Sequence, residues 1–292
     1  MDEGIIIKSL SGFYYVENEN GVFQCRGRGL FRKQKIKPLV GDYVFFEAEQ
    51  KEEGYIYEIK ERRNEINRPP VANVDQALLV FSAEEPAFST LLLDRFLVHM
   101  ESLDIWPVII INKFDLAAQK REQELLECQH DYQVMGYPFV FVSSKNNQGM
   151  EEIKPWLEQK VSIAAGQSGV GKSTLLNALD PSLELETAEI STHLGRGKHT
   201  TRHVELHSVH GGWVADTPGF SSLDFQAVHE EDLDVCFPEM KDRLAQCKFR
   251  GCTHRKEPGC AVKQAVEDEN IPSYRYNHYL QFYEEIHAQR RY

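Results

Sequence analysis

The sequence predicts a multidomain α/β protein in three parts: a five-stranded OB-like β-barrel over residues 1–68, an α/β domain on a parallel sheet over 69–223, and a helical segment with a cysteine cluster over 224–292. Three observations predict it. Short apolar runs separated by turn residues crowd the first 68 positions. Continuous apolar runs then alternate with helical stretches, the mark of parallel strands covered on both faces. Beyond Asp224 strand-like runs cease.

In the first part the runs are "GIIIK", "FYYV", "VFQCR", "YVFFEAE" and "YIYEI", punctuated by Asn20-Gly21, Gly41-Asp42 and Gly54. Five strands in so small a segment suggest a closed barrel, an OB-fold or an SH3-like barrel of similar pattern. Between the third and fourth runs "RGRGLFRKQKIK" carries six Arg/Lys and no acid. It is either a solvated loop or one that contacts phosphate. "NRPPVANVDQ", with two prolines, reads as a linker.

The second part reads as strand "QALLVF" (76–81), a helix near 91–103, strand "PVIII" (107–111), a helix near 119–129, strand "FVFVSS" (139–144), a helix near 150–159 and strand "VSIAAG" (161–166). After these come the helix "STLLNAL", the polar stretch "ISTHLGRGKHTTRHVEL" and the short apolar run "GGWVA". The third part holds the cysteines and the aromatic tail "YRYNHYLQFYEEIHAQRRY".

Composition excludes several classes. At 41% hydrophobic and 27% charged the chain is globular and not disordered. Its longest apolar run, 106–111, is far short of a bilayer span, and "MDEGIIIKSL" is acidic where a secretory signal is basic. A cytoplasmic protein without membrane contact is expected. Six cysteines then imply reduced thiols or a metal. The net charge of −12 falls wholly on residues 69–292, because residues 1–68 hold 12 basic and 12 acidic side chains. This argues against coating DNA but leaves room for a local basic patch to meet RNA phosphate.

Three motifs carry chemistry. Gly166-Gln167-Ser168-Gly169-Val170-Gly171-Lys172-Ser173 follows a strand and opens a helix, the context of a phosphate loop whose backbone N–H groups turn inward on an anion. Lys172 reaches the β- and γ-phosphates, the Ser173 hydroxyl binds Mg²⁺, and Thr174 completes the phosphate side. Asp216-Thr217-Pro218-Gly219 follows "GGWVA" as a second phosphate-side element: Asp216 holds Mg²⁺ through water and the Gly219 N–H meets the γ-phosphate. Asn112-Lys113-Phe114-Asp115 ends a strand, where ligand loops of an open α/β sheet belong. The Asp115 carboxylate pairs with guanine N1–H and the 2-amino group and finds no such pair on adenine. Asn112 ties neighbouring loops, the Lys113 stem covers the base, and Ser143-Ser144-Lys145 offers a backbone N–H to guanine O6.

The base reader precedes the phosphate loop, an inverted order. A sheet's site depends on which strands are neighbours, not on chain order, so joining old ends near 159–162 and cutting after the Asp216–Gly219 element preserves it. This order, with the N-terminal barrel and the C-terminal cysteines, resembles the RsgA (YjeQ/YloQ) family of circularly permuted GTPases over essentially the whole chain. The resemblance implies GTP hydrolysis to GDP stimulated by the small ribosomal subunit, a role in its late maturation, and an OB-fold, a permuted P-loop GTPase domain and a C-terminal helical zinc domain.

In the polar stretch, Thr200 or Thr201 supplies the second Mg²⁺ hydroxyl, with Thr201 favoured. Many GTPases place a water-orienting glutamine after the Gly219 position, where this chain has Phe220. His199 takes that role in the reading the resemblance supports; otherwise it is a surface histidine. Cys247-x4-Cys252-x-His254-x5-Cys260 has the donors of a closed structural Zn²⁺ site and resembles the family's zinc motif. Cys25, Cys128 and Cys236 should pack as small apolar residues. Lys248, Arg250, Arg255 and Lys256 form a second basic patch, and the tyrosine-rich tail either stacks on rRNA or packs in a core. The expected partners are GTP/GDP, the small subunit and its rRNA, with a monomeric chain. A GTP-dependent switch in another RNA process, such as tRNA modification, is the alternative, and a vestigial nucleotide pocket on an RNA-binding module a third.

Overall fold

The computed structural model describes residues 1–29, 31, 36–67, 69–185, 204–216, 225 and 228–289. Strands β1 (Asp2–Leu10), β2 (Phe13–Asn18), β3 (Gly21–Gly27), β4 (Tyr43–Gln50) and β5 (Glu53–Ile59) close in the order β1-β2-β3-β5-β4, with β4 returning to β1. Every pair is antiparallel except β3 with β5. That crossing makes the barrel a Greek key of the OB type, and the SH3-like alternative falls. Along β4 the two-residue period is plain: Val44 and Phe46 are fully buried while Glu47 and Glu49 face water.

The segment expected as a linker is structured. β6 (Glu65–Asn67) and β7 (Pro70–Ala72) form a hairpin, Val71, Ala72 and Val74 are buried, and Asn64 bonds to both Val74 N and Val74 O at 2.8 Å. The two prolines misled because proline is tolerated at the first residue of an edge strand, where Pro70 stands.

Six strands build the central sheet: β8 (Gln76–Ser82), β9 (Trp106–Asn112), β10 (Phe139–Phe141), β11 (Val161–Ala165), β12 (Leu206–Val209) and β13 (Gly212–Asp216), in the order β10-β9-β8-β11-β13-β12. All pairs are parallel except β12 with β13. Helices α1 (Thr90–Glu101) and α2 (Gln119–Val134) cover one face, and α3 (Met150–Leu157) and α4 (Lys172–Leu179) the other. Leu79, Phe81, Ile109 and Ile111 pack toward the first pair; Leu78, Val80, Val108 and Ile110 pack toward the second. This two-sided burial is why these strands read as unbroken apolar runs. Strand β12 was not expected. It is a short edge strand whose His207 and Ser208 are not buried, too polar to stand out from the preceding stretch.

Beyond β13 the described residues form helices: α5 (Pro238–Lys241), α6 (Ala261–Glu267), α7 (Ser273–Gln289) and short 3-10 turns. Their core joins Phe225, Phe237, Met240, Tyr279 and Phe282 to Val98 of α1. Tyr279, Phe282 and Tyr283 are buried, so these rings of the aromatic tail pack a core. Arg275 of α7, fully buried, bonds Asp94 of α1 at 2.6 Å and both carboxylate oxygens of Glu239 at 2.8 and 3.1 Å. Asp94 also accepts from Tyr132 of α2 and pairs with His278 at 2.6 Å. A charge-satisfied network thus fastens the helical part to the sheet domain.

Candidate functional site

The end of β11 turns directly into the phosphate loop. Gly166 has φ +145°, and a Cβ there would lie 2.1 Å from the Val80 carbonyl oxygen of neighbouring β8. Gly169 has φ +85° and Gly171 φ +93°, the left-handed turn that starts α4. Val170 is fully buried and anchors the loop, whereas Gln167, Ser168 and Gly169 are exposed at its mouth. The Lys172 ammonium donates to the Gly166 and Gln167 carbonyls, each at 2.9 Å, and so lies back across that mouth. Ser173 and Thr174 stand in the first turn of α4 behind it.

Asn112 ends β9, two strands away, and is 1% exposed. Its amide donates to the Val170 carbonyl at 3.0 Å, and its Oδ1 accepts from Ser144 N at 3.1 Å and Ser144 Oγ at 2.8 Å. One buried side chain therefore ties three loops. Lys113, in the left-handed region at φ +58°, donates its ammonium to the Gly169 carbonyl at 2.7 Å and to the Glu85 carbonyl at 2.7 Å. Phe114 stacks on Phe141 with centroids 4.3 Å apart, and its N–H reaches Val142 O at 3.1 Å. These contacts fix the turn that presents Asp115 to solvent. Ser143 closes a tight loop with Gln148, leaving Lys145 exposed at its tip.

The sheet order explains the convergence. β11, which feeds the phosphate loop, lies between β8 and β13, and β8 lies beside β9, so carboxyl ends of parallel strands gather at one edge. Asp216, the last residue of β13, is in register with Ala164 of β11, one strand from the phosphate loop. The structure thus brings together Asn112, Lys113, Ser144 and the 166–173 loop. Thr217, Gly219 and Phe220, with His199, Thr200 and Thr201, lie outside the described residues. Sequence reasoning missed Glu85, which acts through a backbone carbonyl and leaves no residue-type signal.

The second cluster sits in the C-terminal part. One donor atom each from Cys247, Cys252, His254 and Cys260 lies within 4.8 Å of the others, and three of the four residues are buried. A zinc ion with bonds of about 2.3 Å to sulfur spaces its ligands by roughly 3.8 Å, so small inward shifts suffice. His254 Nδ1 faces Cys260 Sγ at 3.2 Å and Cys247 Sγ at 3.7 Å, while Nε2 meets Asp234 Oδ2 at 3.3 Å. A carboxylate behind the imidazole is the support that metal-binding histidines use. Asp234 lies outside the cysteine spacing and was not read from sequence. Helix α7 props the loop through Tyr276 OH to His254 O at 2.6 Å and Tyr279 OH to Thr253 O at 3.0 Å. The group can hold a metal ion. Cys25, Cys128 and Cys236 are buried and stand outside this donor group, Cys236 within the same C-terminal core, and burial pushes their thiols up to about 11, about 12 and about 12.

The family model described as RsgA GTPase matches residues 59–226, and that described as RsgA N-terminal domain matches residues 3–56. The small ribosomal subunit biogenesis GTPase RsgA of Bacillus velezensis is 61% identical over 289 residues, covering 98% of this chain and 98% of that protein. Its namesake from Shouchella clausii is 58% identical over 291 residues, covering 100% and 99%. Among solved structures, YloQ, a circularly permuted GTPase, superposes with a TM-score of 0.87 at 52% identity, covering 99% of this chain and 96% of that one. YjeQ from Thermotoga maritima superposes with a TM-score of 0.87 at 38% identity, covering 97% and 98%.

Proposed function

The chain belongs to the RsgA family of GTPases, and on that premise we propose that it hydrolyses GTP to GDP and phosphate, binds the small ribosomal subunit and acts in the late maturation of that subunit, which stimulates its turnover. One observation supports this most: the Lys113 ammonium meets the Gly169 carbonyl at 2.7 Å, joining two motifs 56 residues apart into one pocket rim. No observation favours the tRNA-modification alternative over the small subunit named in the relatives.

In this reading Asp115 accepts from guanine N1–H and the 2-amino group, the Lys113 stem covers the base, and the 143–145 loop offers an N–H to O6. The amides of residues 166–171, with Thr174, surround the phosphates, and the Lys172 ammonium swings from the Gly166 and Gln167 carbonyls to the β- and γ-phosphates. Ser173 and Thr201, or Thr200 in its place, would hold Mg²⁺, with Asp216 acting through water; bound there, the ion would offset the negative charge of the phosphates. Gly219 N–H meets the γ-phosphate. Phe220 cannot orient water, and His199 does so instead. One structural zinc on Cys247, Cys252, His254 and Cys260 stabilises the C-terminal part. The barrel and this part grip rRNA, the chain acts as a monomer, and it works in the cytoplasm. Domain limits at 1–68, 69–223 and 224–292 belong to the same reading.

The test is GTP turnover with and without isolated small subunits at low and high salt. We expect slow intrinsic turnover, strong stimulation by subunits, and loss of stimulation as salt screens the phosphate contacts. His199→Ala should lower the stimulated kcat at least about a hundredfold with nearly unchanged GTP affinity. No turnover with subunits would refute the hydrolase reading, and lost binding at unchanged kcat would refute the role of His199.

A further inference from the structure

Residues 83–88, the loop that leaves β8, form a third wall of the base-reading corner, one that neither nucleotide motif contains. The Ala83 N–H donates to the Asn112 carbonyl at 3.0 Å, and the Phe88 ring packs edge-on against Phe81 and Phe139 in the sheet core. Between these ends the Glu85 carbonyl accepts from the Lys113 ammonium at 2.7 Å. That carbonyl is half of what holds Lys113, the other half being Gly169 of the phosphate loop.

One guanidinium closes this loop. Arg121, in the first turn of α2, donates Nε–H to the Ala83 carbonyl at 3.2 Å and an Nη2–H to the Phe88 carbonyl at 2.8 Å, spanning the loop from end to end. Its remaining terminal nitrogen pairs with Glu124 at 3.2 Å, and its carbon lies 6.0 Å from the Phe88 ring centroid. A planar fork with fixed donor directions suits two carbonyls at a set separation, and lysine cannot reproduce it.

We propose that Arg121 is a positioning residue for guanine binding: by fastening both ends of the 83–88 loop it aims the Glu85 carbonyl at Lys113, and so fixes the side chain that covers the base. The inference rests on the reading of Lys113 given above. Among the described residues Arg121 bonds only to Ala83, Phe88 and Glu124 and not to the phosphate loop, so its loss weakens nucleotide binding and leaves the chemical step alone.

The experiment compares wild type, Arg121→Ala, Arg121→Lys, Lys113→Ala and the Arg121→Ala/Lys113→Ala double variant, measuring GDP affinity by calorimetry, KM and kcat with small subunits, and thermal stability. Losing the hydrogen bonds that aim one carbonyl should raise the GDP dissociation constant and KM about fivefold in Arg121→Ala, with kcat within twofold. Arg121→Lys should fall between that variant and wild type, and carries the same comparison should the alanine variant not fold. In the Lys113→Ala background the Arg121 change should have no further effect on affinity. Unchanged GDP affinity in Arg121→Ala and Arg121→Lys, a fall in kcat at unchanged KM, or full additivity with Lys113→Ala would overturn the proposal. A wild-type chain without preference for GDP over ADP would instead overturn the reading of the site, a separate failure visible in the same titrations.

Discussion

At Gly171 the lack of a side chain decides whether two motifs can meet. Its φ of +93° is a conformation that other residues adopt at a cost of roughly 1–3 kcal/mol, and a Cβ there would lie 2.5 Å from the Asn112 amide nitrogen. Gly171→Ala should therefore push Asn112 off the Val170 carbonyl and weaken GDP binding about tenfold or more, measured by calorimetry, while the folded chain survives. Unchanged binding would show that Asn112 does not depend on this close approach. The residues that present side-chain chemistry, from Asn112 to Ser173, were legible because their types and spacing are what the chemistry demands. Glu85, Arg121 and Asp234 were not: one contributes a backbone carbonyl, one grips two others, and one supports a ligand from behind.

At the scale of elements, legibility followed burial. The four inner strands of the sheet, covered on both faces, stood out as apolar runs; β12, half open to water at the edge, did not. The β6–β7 hairpin was hidden by its prolines. The alternatives for α7 could not be separated in sequence, because aromatic rings interleaved with basic residues suit RNA and core alike. Its Arg275 is the element's strongest commitment, paired with Asp94 and Glu239 where all three are buried. Removing the cation strands two carboxylates out of water, which costs about 3–5 kcal/mol. Arg275→Ala should lower the unfolding free energy by that amount in denaturant titrations. A loss under about 1 kcal/mol would mean that water reaches the network.

For the whole molecule, both flanking parts are fastened to the central sheet. On one side Lys8 of β1 bridges to Glu205 beside β12, with their charges 2.7 Å apart, and Trp213 of β13 donates to Glu17 of β2 at 3.1 Å. On the other, Arg95 of α1 makes two bonds to Glu285 of α7 at 2.8 and 2.5 Å and stacks on Phe225 and Phe282. Phe225 lies nine positions beyond Asp216, so little chain separates the phosphate-side strand from the C-terminal core. The cysteine–histidine cluster that can hold a metal ion is part of that core, with Cys252 and Cys260 among its buried residues. A strong chelator should release about one zinc per chain, melt the C-terminal helices while the barrel and sheet persist, and expose four of the six thiols to alkylation, the three of the cluster and Cys236 of the same core. The buried thiols of Cys25 in the barrel and Cys128 of α2, pushed up to about 11 and about 12, should stay unreactive at neutral pH because the thiolate is the nucleophile. Zinc-free protein with an unaltered helical signal would contradict a folding role for the metal.

The central claim is that a base reader and a phosphate loop, in inverted order along the chain, make a single guanine-nucleotide site. Calorimetric titration of GDP, ADP and XDP into wild type and Asp115→Asn tests it most directly. The account predicts that wild type prefers GDP to ADP by roughly a hundredfold or more, since the wrong base leaves the Asp115 carboxylate unpaired, and that Asp115→Asn turns the preference toward XDP. Equal affinities for GDP and ADP in wild type, or an unaltered ranking in Asp115→Asn, would contradict it.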